Sequence, residues 1–491
     1  MTSTEEVIYN LEKNAPMTNR EIAQQEVDDF KLSKRYEWML TGEAYYRNQT
    51  EILNHKRYTI GEGGAKIEAI NLANNKLVHG FIRKLVDQKT GYLLSKPISI
   101  QTDGPNEYKD QLDNFFGKSF LRQLKNLGKN AFNNGIGWLQ VYYSETGELS
   151  FKIIPSRECV PLWKDGAHTE LDAMIRFYPI VIYEAKTKKT VNIVEFWDDT
   201  GVMKWVQDTT INSDYIPYEE LQGHFSAIDA DGKTQQLNWE RIPFIPFKYN
   251  DEEMPLVEIL KTLVDDYDKR MSENANNLED LPNSIIVVKN YDGQDPGEMR
   301  RNLATLRMVK VSGDGGVDTL TLDIDTTAFS NHMEMLRKSI YEFGRGVDTQ
   351  SDKFGNSPSG IALRFLYGDL DMDANIIETE FQASLEQLLW FVNQHLANTT
   401  NKDYSEFDVE FIFNRDILIN ETEAVTNAKD SVGVISDETI VANHPWVTNV
   451  QDELDRLKKE KSEGMPVVED QPYGGTGGNP PETEPKQDEQ S

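Results

Sequence analysis

The sequence predicts an α+β chain built around long amphipathic helices that flank a small mixed unit. Three observations carry this. Residues 137–250 alternate apolar and polar side chains in short runs separated by turn signals, the pattern of an antiparallel sheet. Residues 252–282 and 326–345 carry helical spacing on either side of a compact insertion, 283–325. After a polar loop, 346–357, residues 358–396 hold one apolar stripe over about ten turns, a helix longer than a small domain is wide.

Taken in order, residues 1–39 are polar and helix-prone and predict a peripheral N-terminal helical arm. Residues 40–135 predict helices, with an amphipathic one over Ile67–Asp87 and another over Tyr108–Asn134. The strands follow at Trp138–Tyr143, Leu149–Ile154, Ala173–Ile182, Val191–Trp197 and Val202–Val206, with turns at Thr146-Gly147 and Asp199-Thr-Gly201. The two prolines of Ile242–Lys248 suit an edge or irregular strand. Pro255 then introduces a helix in which Val257, Leu260, Val264, Tyr267, Met271 and Leu278 form a seam flanked by Asp265, Asp266, Asp268 and Glu273. Inside the insertion, Ser284–Lys289, Arg307–Val311 and Val317–Leu322 read as strands and Pro296–Ala304 as a short helix. The return helix, Thr326–Phe343, places Phe329, Met333, Leu336, Ile340 and Phe343 on one face. Ser357 and Pro358 suit the cap and first turn of the longest helix. Its stripe runs Ile361, Phe365, Leu366, Leu370, Ile376, Ile377, Phe381, Leu385, Leu388, Leu389, Val392 and Leu396. Residues 405–418 predict one strand that rejoins the sheet, and 419–461 a helical unit in which Ser436 caps a helix begun by Asp437 and Glu438. From Ser462 to the end, glycine, proline and seven acidic residues against one lysine predict a disordered acidic tail.

Composition narrows the function. The net charge of −31 argues against a tight nucleic-acid binder, because phosphate contacts from a basic face supply most of such affinity. No apolar run reaches the roughly 20 residues of a membrane span. The first ten residues lack the basic and apolar regions of a signal peptide. A lone cysteine, Cys159, fits folding in a reducing cytoplasm. The cluster Gly61-Glu-Gly-Gly-Ala-Lys66 has the wrong spacing for a phosphate loop and puts a carboxylate where phosphate would sit. Asp229-Ala-Asp-Gly232 starts like a calcium loop but lacks the later bidentate glutamate, so a hairpin turn is the simpler reading. Seven scattered histidines form no zinc pattern, and no carboxylate pair stands out as an acid–base dyad. The expectation is no catalytic residue, no metal and no cofactor.

Several motifs share one resemblance. Tyr45-Tyr46 and the run Asn71–Asp87 precede Lys89-Thr-Gly-Tyr-Leu-Leu-Ser-Lys-Pro97, similar to a family pattern in which a helix leads to a strand of the type GY(L/I)-x-x-(K/R)P. Asn134-Gly-Ile-Gly-Trp-Leu-Gln-Val-Tyr-Tyr143 follows, then Ile435–Ile440, Pro445-Trp-Val447 and Glu453, with Asn449 where the family usually has an acidic residue. Together with the loop and helix of 346–396, these resemble tailed-phage portal proteins of the Bacillus siphophage type, in order over residues 40–461. The resemblance implies a portal fold: a wing over 40–251, a stem helix over 252–282, a clip over 283–325, a return stem helix over 326–345, a tunnel loop over 346–357, a long wing helix and closing strand over 358–418, and a crown over 419–461. It also implies a homo-oligomeric ring of about a dozen subunits, in which the stem residues Val257, Leu260, Val264, Tyr267, Met271, Met333, Leu336 and Ile340 pack. Double-stranded DNA passes through its channel. The implied partners are a separate terminase ATPase, scaffolding and major capsid proteins and a head–tail adaptor. The implied location is a capsid vertex of the virion, reached from the host bacterial cytoplasm.

The acidity then acquires a use. A dozen copies would carry roughly −370, and a channel that repels phosphate from all sides centres a sliding duplex, within a Debye length of about 8 Å. The tunnel loop residues Asp348, Thr349, Gln350, Ser351, Asp352, Lys353, Phe354 and Asn356 are the candidate DNA contacts, with Lys353 the single cation beside the acids Asp348 and Asp352. Two other readings stay open: a soluble carboxylate-based or calcium-dependent enzyme, and a non-channel minor capsid scaffold.

Overall fold

The computed structural model describes residues 17–60, 64–70, 72–184, 187–208, 214–228, 232–279, 284–289, 313–321, 326–350, 360–415, 421–442, 444, 446–447 and 450–462. The chain divides into two units, Met1–Leu418 and Ile419–Ser491.

The first unit opens on α1 (Asn19–Leu32) and α2 (Lys34–Tyr46). Thr18 and Glu21 form a reciprocal capping box on α1, and Ser33 caps α2 by accepting from the Tyr36 amide at 3.2 Å. These helices are no peripheral arm. Ala23, Val27 and Phe30 are buried among residues of the sheet, and the expected boundary at residue 39 falls inside α2. A short hairpin follows, β1 (Tyr58–Ile60) with β2 (Lys66–Glu68).

The next helix, α3, spans Phe81–Leu94, not Ile67–Asp87, and the stretch expected as a strand, Lys89–Pro97, is helical through Leu94. After β3 (Ser99–Thr102), the single helix expected over Tyr108–Asn134 is two, α4 (Asn106–Phe115) and α5 (Lys118–Asn134), interrupted at Gly117. Gly135 ends α5 with φ +80°, and a Cβ there would meet the Glu253 carbonyl oxygen at 1.8 Å. Only glycine fits.

β4 (Ile136–Tyr143), β5 (Leu149–Ile154), β6 (Cys159–Trp163), β7 (Leu171–Glu184), β8 (Thr187–Asp198), β9 (Gly201–Asp208), β10 (Ile216–Gln222), β11 (Phe225–Ile228), β12 (Thr234–Leu237) and β13 (Phe244–Lys248) come next. They make a five-stranded antiparallel sheet in the order β10-β9-β8-β7-β6, a three-stranded one in the order β13-β4-β5, and the hairpin β11-β12. The proline strand β13 lies at an edge, as expected. Strand alternation sends Leu139 and Val141 of β4 into one apolar cluster and Ile136 and Trp138 into the other. β4 is therefore buried on both faces.

α6 (Leu256–Glu279) leads to β14 (Ser284–Lys289), which pairs antiparallel with β15 (Gly316–Thr321). The helix expected at 296–304 and the strand expected at 307–311 lie outside the described residues. α7 (Thr326–Phe343) returns, and α8 (Gly360–Thr400) runs 41 residues, about 60 Å. Leu370, Ile377, Phe381, Leu385, Leu388, Val392 and Leu396 of its expected stripe are buried, whereas Phe365 is 84% exposed. The last strand, β16 (Val409–Ile412), does not rejoin the large sheet but pairs with β3.

The second unit holds α9 (Glu421–Asp430), α10 (Asp437–Ala442) and α11 (Val450–Ser462). Ser436 caps α10 by accepting from the Thr439 amide at 3.3 Å. The acidic tail lies outside the described residues. No described helix is long and apolar enough to cross a membrane.

Candidate functional site

The candidate site is the connection between α7 and α8 together with the helices that carry it. Within the loop, Asp348, Thr349 and Gln350 are described, while Ser351, Asp352, Lys353, Phe354 and Asn356 lie outside the described residues, as do Ser357 and Pro358. Asp348 is held by Arg337 of α7 at 2.6 Å, and its Oδ1 also accepts from the Gln350 amide at 3.1 Å. This hydrogen bond raises the pKa of the Arg337 guanidinium. Asp348 thus serves the loop's own geometry before it can serve a ligand. Thr349 has Lys84 of α3 at 3.5 Å.

The residues just before them are fixed more firmly. Val347 is buried, and both its backbone groups bond the Gln88 side chain: its N–H donates to Oε1 at 2.9 Å, and its carbonyl accepts from Nε2 at 3.1 Å. The neighbouring Lys89 side chain is 1% exposed. Its ammonium donates to Asp373 Oδ2 of α8 at 2.5 Å and to the Arg345 carbonyl at 3.3 Å. Tyr249 donates its hydroxyl to the same carboxylate at 3.3 Å. Burial pulls the Lys89 pKa down, opposed by the attraction of Asp373, and burial beside Asp373 drives the Tyr249 phenol well up. Gln88, Lys89 and Asp373 were not singled out in the sequence; the available signal was a lysine inside an apolar helical stretch.

Most side chains of the expected stem seam face the interior of the subunit. Val257, Leu260 and Val264 of α6 are fully buried, as is Ile340 of α7, and Met333 and Leu336 are 7% exposed. Tyr267 packs half-buried against the same cluster and Met271 is half-buried. Val257, Leu260, Val264, Met333, Leu336 and Ile340 are covered within the subunit, so neighbours are not what buries them. Leu278, expected in the seam, is 79% exposed.

Beyond Val264 the buried line of α6 turns polar: Asp268, Ser272 and Asn276 are all nearly inaccessible. They hold the extended segment before α3. The His79 amide donates to Asp268 at 2.9 Å, the Leu77 amide to Ser272 at 2.9 Å and the Asn75 amide to Asn276 at 2.6 Å. Asp268 also accepts from Thr50 at 2.7 Å and contacts the His79 ring nitrogen at 2.8 Å. Asp268 therefore cannot face a channel. Of the other flanking acids, Asp265 pairs with Lys261 at 2.6 Å, and Asp266 and Glu273 pair with Arg270 at 3.2 and 3.5 Å. Among the described residues, no group of three metal-ligating side chains comes together.

The profile of the family described as "Phage portal protein, SPP1 Gp6-like" matches residues 31–466. The chain is 29% identical over 440 residues to the portal protein of Bacillus phage SPP1, covering 87% of this chain and 84% of that protein. It is also 29% identical over 453 residues to the portal protein of Clostridium phage phiCD119, covering 89% of this chain and 95% of that one.

Proposed function

Because the chain belongs to the SPP1 Gp6-like phage portal protein family, and so is a structural part of the capsid's DNA-packaging channel and not an enzyme, we propose how its parts do that work. About a dozen copies form a cyclic ring at one capsid vertex, assembled in the host cytoplasm with scaffolding and major capsid proteins. The observation that carries this is the set of apolar side chains left exposed on the long helices. Ile259 of α6, Met335 and Phe343 of α7, and Phe365, Met372 and Ile376 of α8 are 38 to 84% exposed on elements whose other faces are already packed. A neighbouring copy in a head-to-tail ring covers them. The mass of the intact particle tests this. A closed ring is expected, and a strict monomer at micromolar concentration in moderate salt would sink it.

Double-stranded DNA passes through the ring, driven by a separate terminase. The loop 346–357 lines the narrow part of the channel. Its root is pinned while Thr349, Gln350, Ser351 and Asn356 offer weak, exchangeable hydrogen bonds to phosphate. Lys353 adds one cation per subunit, which gives transient attraction without a multi-phosphate grip. Lys353→Glu combined with Gln350→Glu is expected to leave ring assembly intact and to reduce DNA packaging or retention. Normal packaging and retention by assembled rings carrying both changes would mean that this loop is a surface connector with no DNA contact.

A further inference from the structure

We propose that α3, a helix the loop does not join, fixes the position of the channel loop's root, with Gln88 and Lys89 as positioning residues. The name of the loop rests on the function proposed above; the geometry of its root does not. Gln88 presents a donor and an acceptor to one residue, Val347, as a neighbouring β-strand would. Flipping the carboxamide would set oxygen against oxygen and N–H against N–H, so the orientation is determined. The backbone lies directly on α3 here: a Cβ on Gly346 would fall 2.1 Å from a Leu85 methyl carbon.

Lys84 and Gln88 are four residues apart on one face of α3, and they meet Thr349 and Val347, two residues apart on the loop. Lys89 continues the line to the Arg345 carbonyl. Because the same ammonium also bonds Asp373, one buried group ties the chain entering the loop to the helix leaving it. α7 contributes Arg337 to this root by side chain and its own last turn by backbone, where the Tyr341 carbonyl accepts from the Gly346 amide at 2.9 Å. A shift of α3 is therefore transmitted to the chain entering the loop and, through Asp373, to α8.

The test is amide hydrogen exchange on assembled rings carrying Gln88→Leu, which removes both bonds without adding charge. Exchange at the Val347 amide is expected to accelerate roughly tenfold, the loss of about one net hydrogen bond, while protection over residues 256–264 and the ring mass stay unchanged. Gln88→Glu retains the acceptor for the Val347 N–H and is expected to fall between wild type and Gln88→Leu. It also carries the test if the leucine variant fails to assemble. Unchanged exchange over 345–349 in either assembled variant overturns the proposal. DNA retention separates this from the loop's proposed role. Faster exchange with lowered retention supports both. Faster exchange with full retention, in rings that also tolerate the Lys353 and Gln350 charge reversals, leaves the latch standing and removes the DNA contact.

Discussion

Asp373→Leu will destabilise the subunit by about 3–5 kcal/mol, because it leaves the Lys89 ammonium buried without a counter-charge. Lys89→Met will destabilise it by less, because the Arg345 guanidinium stays 3.5 Å from Asp373. The two side chains are 1% and 5% exposed, so solvent cannot relieve the loss. The double variant is expected to recover most of the deficit, since apolar groups of similar volume replace an ion pair that was costly to desolvate. Recovery will be incomplete. The Tyr249 hydroxyl and the Arg345 guanidinium, 3.3 and 3.5 Å from Asp373, both lose their acceptor. Denaturant midpoints of the four proteins, combined as a double-mutant cycle, give the coupling directly. Single variants within 1 kcal/mol of wild type, or a strictly additive double, would show that the pair is no buried clamp.

Removing residues 283–325, with 282 and 326 joined by a short flexible linker, will abolish co-purification with terminase and with the head–tail adaptor while sparing the rest of the subunit. The sparing follows from packing. The buried residues of the two apolar clusters fall within 23–264 and 340–413, outside the insertion. The hairpin-like pairing of Ser284 with Thr321 through Lys289 with Gly316 closes the insertion on itself. The loss of binding follows from its place in the chain between two long helices. Pull-down with each partner checks it, and undiminished capture of both by the shortened protein would refute the docking role.

The elements legible in the sequence are those whose pattern is generated by their own burial. β5 was expected over Leu149–Ile154 and α7 over Thr326–Phe343, and both lie there. The misses have long-range causes. Ile67–Asp87 has helical periodicity, yet residues 75–79 stay extended because their amides are satisfied by α6, some 200 positions away in the chain. Tyr92, Leu93 and Leu94 were placed in a strand by resemblance to a family pattern, but they belong to a helix buried on several sides, which shows little period of its own. β10 and β12, largely exposed and polar, carry no alternation to read. In the candidate site, the loop was marked by its lack of pattern between two helices. Gln88 and Lys89 were not, because nothing local to residues 81–94 says that an amide and a carboxylate, at positions 347 and 373, will arrive beside them.

The polar line of Asp268, Ser272 and Asn276 has a metrical consequence. Four residues of helix advance about 6.0 Å, and two residues of extended chain advance about 6.6 Å. Side chains spaced by four can therefore read alternate amides of a segment that runs antiparallel to the helix, and 268, 272 and 276 do so at 79, 77 and 75. The two rulers drift by about 0.6 Å per rung. Three rungs fit comfortably, but a longer series would lose hydrogen-bond distance at its ends. Slippage is discrete as well: a displaced segment must move by two residues to find partners again, and each such step forfeits one rung. The helix is thus a vernier against which the segment has one best setting.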